Sequence, residues 1–377
     1  MVPKVRALQL RILIGCYEVP GYGGAATASY GLAERLRGGG ADVAFVNLVD
    51  EQDAEFFRLV FGEAYGNPRR LDFVRNCILH GPLYHPHPEL GALVREHAPD
   101  VAIGVGYIAA LLLKRAAPEV KTVFLTSGCQ QAKDAITSGR ASDYLAISRE
   151  IERGIRRPHI TCVQEREAIE IADLVVVHSE MTRRLFEYYF PYSTGKILGP
   201  VLSFAPWIYG EAREHAALGR PFDERDIDAL FVASAWSRPE KNFAFVKEIA
   251  ARLPGARIHI AGEAEEKVPN AVHAGLVAER EAMFALMGRA RAVVCPSSFD
   301  TAPGILFEAS ALGCNVVASE NCGNAALCDD ALRVREFSPA EFVERTRSAL
   351  ATKQEDRITP FLDEKPYRDF LETLDVL

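Results

Sequence analysis

The chain has 377 residues, which is enough for two domains with separate hydrophobic cores. Hydrophobic residues make up 49% and charged residues 25%, as in an ordinary globular enzyme, and the net charge of −8 argues against general nucleic-acid binding. Acidic and basic residues balance over residues 1–200, so the whole negative charge lies in residues 201–377. An anion bound by the second half would therefore need local cations and backbone amides.

The cysteine pattern indicates a cytoplasmic protein. The eight cysteines show no Cys-x-x-Cys spacing and mostly lie in apolar runs, which favours reduced, buried thiols over disulfides or zinc ligands. The opening MVPKVRALQL lacks the apolar core of a signal peptide. No segment approaches the roughly 18 uninterrupted apolar residues of a membrane-spanning helix. Attachment to a membrane surface stays open.

The first half alternates strands with helices. Leu8–Cys16 and Val43–Val49 are predicted strands around a helix from Ala26 to Leu36, and Val101–Val105 and Thr122–Leu125 are further buried strands. This alternation predicts a parallel sheet that is covered on both faces.

Glycines follow the first strand. Gly23 and Gly24 stand just before the first helix, where they would let a ligand approach the backbone closely. A tight strand-to-helix turn explains them equally well.

Three histidines lie close together in the run HGPLYHPHPEL, at His80, His85 and His87. The prolines between them predict an extended loop, and no nearby fourth ligand completes a zinc site. We interpret them as solvent-facing histidines on a loop that lines an acceptor pocket, since loops on a rigid scaffold commonly carry recognition.

The first predicted domain closes with a strand and a helix. Ser179 is a suitable N-cap for a helix over Glu180–Tyr189. His178 fits the strand end as a structural residue, with a catalytic role as the lesser alternative. Residues 200–222 show no strong periodicity and contain several prolines, so we place the interdomain linker there.

The second half begins with a strand over Ala229–Ala233. The loop after it carries Arg238 and Lys241 just before a helix, where two cations suit a diphosphate; a solvated turn is the plainer alternative. Asp226 and Asp228 resemble a metal-binding Asp-x-Asp pair. They precede the strand, however, whereas ligands bind beyond the carboxyl ends of strands, so we reject a metal site.

The stretch VVCPSSFDTAPGILFEASALGCNVVAS, residues 293–319, predicts strand, loop, helix and strand. Asp300 lies in the loop, Gly304 lies at the helix start and Glu308 follows one turn later. The first turn of a helix leaves its amides unpaired, which favours a phosphate there. A carboxylate one turn deeper can accept the paired hydroxyls of a sugar. An ordinary strand–helix–strand crossover is the alternative.

This stretch resembles the signature of retaining glycosyltransferases of the GT-B fold, the family 4 group: a carboxylate, seven residues, a glutamate, then Ala-x-Ala-x-Gly. The resemblance implies that Glu308 binds the nucleotide ribose and that Asp300, where the family usually has glutamate, holds donor-sugar hydroxyls. Lys241 matches a family lysine. The usual arginine position holds Trp236, so Arg238 is expected to substitute for it.

The same resemblance implies further site residues. Gly23 and Gly24 would face the donor phosphates, with Gly304, Ile305 and Leu306 at the helix start. Gly262 and Leu276 are assigned to the nucleotide-binding set. Ser127 stands where many members have a histidine near the reacting carbon, and could donate a hydrogen bond to substrate.

The predicted fold is therefore α/β, with two Rossmann-like domains whose parallel sheets face each other across a cleft. The expected bounds are 1–200 for an acceptor domain, 201–358 for a nucleotide-sugar domain, and 359–377 for a helix that crosses back to the first domain. The implied activity is metal-independent, retaining transfer of a sugar from a nucleoside diphosphate, uridine being favoured over guanosine, to a small soluble or glycan acceptor. A sugar-nucleotide epimerase and a non-catalytic two-lobed sugar-binding protein are the alternatives.

Overall fold

The computed structural model describes residues 9–16, 24–50, 69–78, 81–85, 88–126, 128–137, 142–147, 163–201, 205–355 and 357–377. These residues divide into two compact units. The first unit is drawn from Met1–Gln130, His159–Phe204 and Glu364–Leu377, and the second from Gln131–Pro158 and Ala205–Asp363. The described residues 131–137 and 142–147, which the sequence placed in the first domain, thus group with the second unit.

The helices of the described residues alternate with strands along most of the chain. In chain order they are α1 Gly24–Gly38, α2 Pro88–His97, α3 Tyr107–Ala116, α4 Gln130–Thr137, α5 Val163–Ile171, α6 Glu180–Tyr189, α7 Ala205–Glu214, α8 Phe243–Ala251, α9 Arg280–Gly288, α10 Gly304–Ala311, α11 Pro339–Ala351 and α12 Lys365–Val376. Among these, none has the length and apolar character needed to cross a bilayer.

The sheet of the first unit has the strand order β4-β3-β2-β1-β5-β6-β7-β8. Its described strands are β1 Arg11–Cys16, β2 Asp42–Asp50, β3 Arg69–Ile78, β4 Gly81–His85, β5 Val101–Val105, β6 Lys121–Leu125, β7 Leu174–Val176 and β8 Ile197–Leu198. All neighbours pair in parallel except β3 and β4, which pair antiparallel. The extended loop expected around His85 is wrong for residues 81–85, because a proline is tolerated in an edge strand such as β4.

The last helix completes the core of the first unit. Tyr367, Phe370 and Leu374 of α12 are buried in one cluster with Ile12 of β1 and Val101 of β5. The apolar spacing of this helix is therefore explained by burial against the parallel sheet.

The sheet of the second unit has the order β11-β10-β9-β12-β13, and every neighbouring pair is parallel. Its strands are β9 Ile227–Ala235, β10 Ile258–Glu263, β11 Ala271–Gly275, β12 Ala290–Cys295 and β13 Asn315–Ala318. The chain runs outward from β9 to β10 on one side and from β12 to β13 on the other. The boundary between β9 and β12 is thus the topological switch point, where open parallel sheets bind ligands beyond the carboxyl ends.

One helix replaces the predicted linker. Ala205–Glu214 forms α7, which packs against α10 and buries Ala205, Ile208 and Ala212 at helical spacing. Residues 205–214 of the predicted linker are thus helical, which Pro206 permits because it lies in the first helical turn, where no intrahelical hydrogen bond is lost.

Candidate functional site

Lys241 and Asp300 form a shielded ion pair at the switch point of the second sheet. Lys241 ends a short 3-10 turn after β9, and Asp300 lies in the loop after β12. The Lys241 Nζ and Asp300 Oδ2 atoms are 2.5 Å apart, with side chains only 17% and 16% exposed. Two residues predicted from separate motifs therefore meet because their strands are neighbours.

Lys241 remains a cation in this setting. Burial tends to lower its pKa, but the charge of Asp300 and the hydrogen bond to it outweigh burial, and the pKa lies above its usual value. A permanent ammonium group with limited solvent access is suited to binding an oxyanion.

The charge of Arg238 acts on this pair. Its guanidinium donates to Glu240 Oε1 from Nε at 3.0 Å and from Nη2 at 2.7 Å. Its positive charge lowers the pKa of Lys241, although Asp300 outweighs that effect. Glu240 in turn joins the two loops, because its carbonyl oxygen accepts the Ser298 amide at 2.9 Å.

Trp236 is a core residue. Its side chain is buried, and its indole Nε1 donates to the Ala261 carbonyl oxygen at 3.0 Å. The position where the resemblance expects an arginine therefore supplies packing and no charge.

The start of α10 presents free backbone donors. Gly304 and Ile305 are its first two residues, and their amides have no partner among the described residues. The Leu306 amide is occupied by the Pro303 carbonyl oxygen at 3.2 Å, and the Leu306 side chain is fully buried. Of the three predicted helix-start residues, Gly304 and Ile305 can thus offer donors to an anion, whereas Leu306 anchors the helix.

Asn324 fixes the entry to α10. Its Nδ2 donates to the Pro303 carbonyl oxygen at 3.0 Å, and the residue is fully buried. The loop after β13 thereby sets the position of the two free amides.

Glu308 is buried next to a cation that sequence reasoning missed. Arg280 Nη2 donates to Glu308 Oε1 at 3.1 Å, and Glu211 holds the same guanidinium at 2.7 and 2.8 Å. Arg280 is the first residue of α9, where the helix dipole disfavours a cation. A cation at this unfavourable position was the feature of the sequence that could have pointed to Arg280.

One oxygen of Glu308 is available to a ligand. Oε2 accepts no hydrogen bond from the described part of the chain. Burial raises the pKa of Glu308, Arg280 opposes that shift, and the Glu211 charge adds to it. A bound hydroxyl donor would satisfy Oε2 and favour the charged carboxylate.

Gly262 has a structural reason to be glycine. Its φ is +113°, and an added Cβ would lie 1.6 Å from the Ala233 carbonyl oxygen of β9. Leu276 follows β11 directly and is half-buried. The nucleotide contacts assigned to both residues remain predictions.

Fewer of the predicted site residues lie in the described part of the first unit. Ser127, Gly23, His80 and His87 lie outside the described residues, and Gly24 begins α1. The predicted N-cap is confirmed, because the Ser179 hydroxyl accepts the Thr182 amide at 3.2 Å.

His178 is buried and structural. Its Nδ1 contacts the Val201 carbonyl oxygen at 3.1 Å. Burial lowers its pKa, and the hydrogen bond to Val201 partly opposes this. A neutral imidazole therefore fastens the end of β7 to the segment after β8.

Comparison with known sequences finds a family match in the second unit. Residues 226–352 match the family model described as Glycosyl transferases group 1. A search of curated proteins finds no match.

Comparison with solved structures covers nearly the whole chain. Sucrose-phosphate synthase from Thermosynechococcus elongatus is 16% identical, with 96% of this chain and 94% of that chain covered and a TM-score of 0.59. Anabaena HepE in complex with UDP is 14% identical over 98% and 94%, with a TM-score of 0.54. UDP-N-acetylglucosamine 2-epimerase from Rickettsia bellii is 11% identical over 98% and 96%, with a TM-score of 0.56.

These likenesses confirm the predicted fold of two parallel-sheet α/β domains of the GT-B type. The family match confirms the resemblance to group 1 glycosyltransferases over the segment that contains Lys241, Asp300 and Glu308. It supports sugar transfer as the general class of reaction.

Proposed function

We propose that the protein transfers a sugar from a nucleoside diphosphate to an acceptor hydroxyl with retention of configuration, because residues 226–352 match the family model described as Glycosyl transferases group 1. One observation carries the proposal. The shielded Lys241–Asp300 pair stands at the switch point of the sheet, and the same β12-loop-α10 segment supplies Asp300, two free amides and Glu308.

The chain's own cations and amides are proposed to bind the diphosphate. Lys241 and the Gly304 and Ile305 amides would hold its oxygens and stabilise the negative charge that grows as the sugar leaves. Arg238 would add to this charge from beside Glu240. We accordingly propose that no metal is required.

The two carboxylates are proposed to position the nucleoside and the sugar. Glu308 Oε2 would accept ribose hydroxyls while Arg280 holds Oε1. Asp300 would turn from Lys241 toward the sugar hydroxyls once a phosphate takes over the ammonium group. Such positioning lowers the entropic part of the barrier.

The donor and the remaining residues complete the proposal. Uridine diphosphate is the favoured nucleotide, supported by the similar HepE structure in complex with UDP. Leu276 and the Gly262 backbone are proposed near the base, Gly23 and Gly24 near the phosphates, and Ser127 near the acceptor, a small soluble or glycan hydroxyl compound. A cytoplasmic location is favoured by the six free cysteines of the described residues.

The direct test measures nucleoside diphosphate release from a panel of nucleotide sugars, with acceptor hydroxyl compounds present and a chelator added. We expect release of uridine diphosphate from a uridine diphosphate sugar, and Lys241→Met should slow this release by at least about 100-fold. Nuclear magnetic resonance should show the donor's anomeric configuration in the product. Donor binding without release under any condition would favour a sugar-binding protein. Inverted product, or release that stops with the chelator, would contradict the retaining or metal-independent part.

An epimerase is the second candidate, favoured by the similar 2-epimerase structure. An epimerase would change the donor sugar with no acceptor present. Chromatography of the donor after incubation without acceptor separates the two candidates, since a transferase leaves the epimer composition unchanged.

A further inference from the structure

Two buried thiols lie beside the Lys241–Asp300 pair. Cys295 is the last residue of β12, and Cys322 lies in the loop after β13. Their Sγ atoms are 3.8 Å apart, and both side chains are buried. A disulfide has its sulfur atoms about 2.05 Å apart, so the thiols need to approach by less than about 2 Å to become bonded.

The two thiols differ in acidity. The hydrogen bond from Cys322 lowers the pKa of Cys295 to about 7, against the effects of burial and of the Asp300 charge and with help from the Lys241 charge. The pKa of Cys322 is raised well above its usual value by the same partnership and by burial. Cys295 is thus the more acidic of the two thiols, and in a dithiol the more acidic sulfur attacks the oxidant while its neighbour resolves the product.

The thiols are mechanically linked to Asp300. The Asp300 amide donates to the Asn321 carbonyl oxygen at 2.9 Å, and the Gly323 amide donates to the Asp300 carbonyl oxygen at 2.9 Å. These two hydrogen bonds bracket Cys322. Movement of Cys322 toward the end of β12 therefore shifts the backbone that carries Asp300.

The other cysteines near this sheet have different surroundings. Burial raises the pKa of Cys328 to about 12 and also raises that of Cys314, whose thiol donates to the Met287 carbonyl oxygen at 3.2 Å. Among the described cysteines, Cys295 and Cys322 are the pair whose sulfur atoms are in contact.

We propose that Cys295 and Cys322 form a peroxide-oxidisable dithiol, whose disulfide disables the Lys241–Asp300 pair for binding a nucleoside diphosphate. Hydrogen peroxide oxidises the Cys295 thiolate to a sulfenic acid, and the departing oxygen leaves as water after protonation. The Cys322 sulfur then attacks the Cys295 sulfur and releases a second water. In sum, two thiols lose two electrons and two protons, one peroxide becomes two waters, and an added dithiol reverses the change.

The oxidation is independent of the protein's activity, whereas its effect on nucleotides rests on the proposed function. The experiment therefore treats the full chain with hydrogen peroxide, blocks remaining thiols and maps disulfide-linked peptides by mass spectrometry. The same samples are titrated with uridine diphosphate before and after reduction with dithiothreitol. Cys322→Ala removes the resolving thiol, and Cys328→Ala is the matched buried control.

We expect a Cys295–Cys322 linked peptide in the wild type and in Cys328→Ala, and none in Cys322→Ala. The oxidised wild type should bind uridine diphosphate about tenfold more weakly, as when one charged hydrogen bond is lost, with recovery on reduction. In Cys322→Ala, with its unfolding midpoint checked, peroxide should not produce that reversible loss.

Absence of the linked peptide in folded, peroxide-treated protein overturns the dithiol assignment. A linked peptide with unchanged nucleotide affinity overturns the inhibitory part. If the reduced wild type binds no nucleoside diphosphate, the proposed function fails and the inhibitory part falls with it, while the peptide map still decides the oxidation.

Discussion

The two ends of β9 carry ion pairs of opposite character. At the amino end, Asp226 accepts two hydrogen bonds from Arg289, at 3.0 and 2.7 Å, with both side chains more than a third exposed. At the carboxyl end, Lys241 meets Asp300 through a single oxygen, with both side chains shielded.

The difference separates structural ion pairs from a binding site. Asp226 has both carboxylate oxygens occupied, and Asp228 is likewise held by Arg257 at 2.8 and 3.1 Å. The Asp226–Arg289 pair is exposed on both sides, and exposed ion pairs contribute little to stability. The Lys241 ammonium and the Gly304 and Ile305 amides, by contrast, retain donor capacity that a ligand can use. The rejection of Asp226 and Asp228 as metal ligands is consistent with these arginine contacts.

Replacing Lys241 should have the largest effect. Lys241→Met removes the proposed charge on the leaving diphosphate, and kcat should fall by at least about 100-fold, as for loss of one oxyanion-binding donor. Arg257→Ala at the other end of β9 is the matched control and should leave kcat within about twofold. Steady-state kinetics on both variants check this, and equal losses would remove the distinction between the two ends.

Glu308→Gln should weaken nucleotide binding without lowering stability. We expect about a tenfold increase in Kd for uridine diphosphate, since a charged hydrogen bond to ribose is lost. The unfolding midpoint of the ligand-free protein should not fall, because burial makes the charged carboxylate unfavourable. Calorimetric titration and thermal unfolding measure the two quantities. Unchanged affinity together with a lower midpoint would show Glu308 to be purely structural.

Glu308 should also make the free energy of unfolding depend on pH. Burial raises the folded-state pKa of Glu308, so the folded protein holds this proton more tightly than the unfolded chain does. The free energy of unfolding therefore decreases as pH rises from the unfolded pKa to the folded pKa. Denaturant unfolding of the wild type and Glu308→Gln across this range should show the variant gaining relative stability with rising pH. A gain with falling pH would contradict the assigned direction.

Replacing Asp226 should have the smallest effect on stability. The pH dependence of this effect should have the opposite sign to that of Glu308. The hydrogen bond from Arg289 lowers the pKa of Asp226 to about 2. Its contribution to stability is present above the unfolded pKa and is lost as pH falls through about 2. Because the pair is exposed, Asp226→Asn should cost no more than about 1 kcal/mol at neutral pH. Acid unfolding curves should show that this difference shrinks as pH falls toward 2.

Regular elements were largely predictable because their apolar periodicity reflects burial. The helix over Glu180–Tyr189 and the strand over Val101–Val105 agree with the prediction to the residue. Ala205–Glu214 was missed because the prolines in and around it outweighed its apolar spacing in the prediction, although Pro206 lies where a helix tolerates proline. The contacts of residues 142–147 were not predicted, for another reason. Their contacts within the second unit, such as the hydrogen bond from the Tyr144 amide to the Ser298 carbonyl oxygen at 3.0 Å, join segments far apart in sequence.

The candidate site was predictable residue by residue but not as an assembly. Motif spacing singled out Lys241, Asp300 and Glu308. The pairing of Lys241 with Asp300 depends on β9 and β12 being neighbours, which local patterns do not encode. The contacts of Arg280 with Glu211 and Glu308 depend on the packing of α7 and α9 beside α10. The contact of Cys295 with Cys322 depends on the fold of the loop after β13.

The central claim is that Lys241 binds the diphosphate and Glu308 binds the ribose, at one site. The most direct measurement is calorimetric titration of the wild type, Lys241→Met and Glu308→Gln with uridine, uridine diphosphate and inorganic pyrophosphate. Lys241→Met should weaken both phosphate compounds and spare uridine, whereas Glu308→Gln should weaken both uridine compounds and spare pyrophosphate. Equal losses across all three ligands in both variants, or binding unaffected by either substitution, would contradict the account.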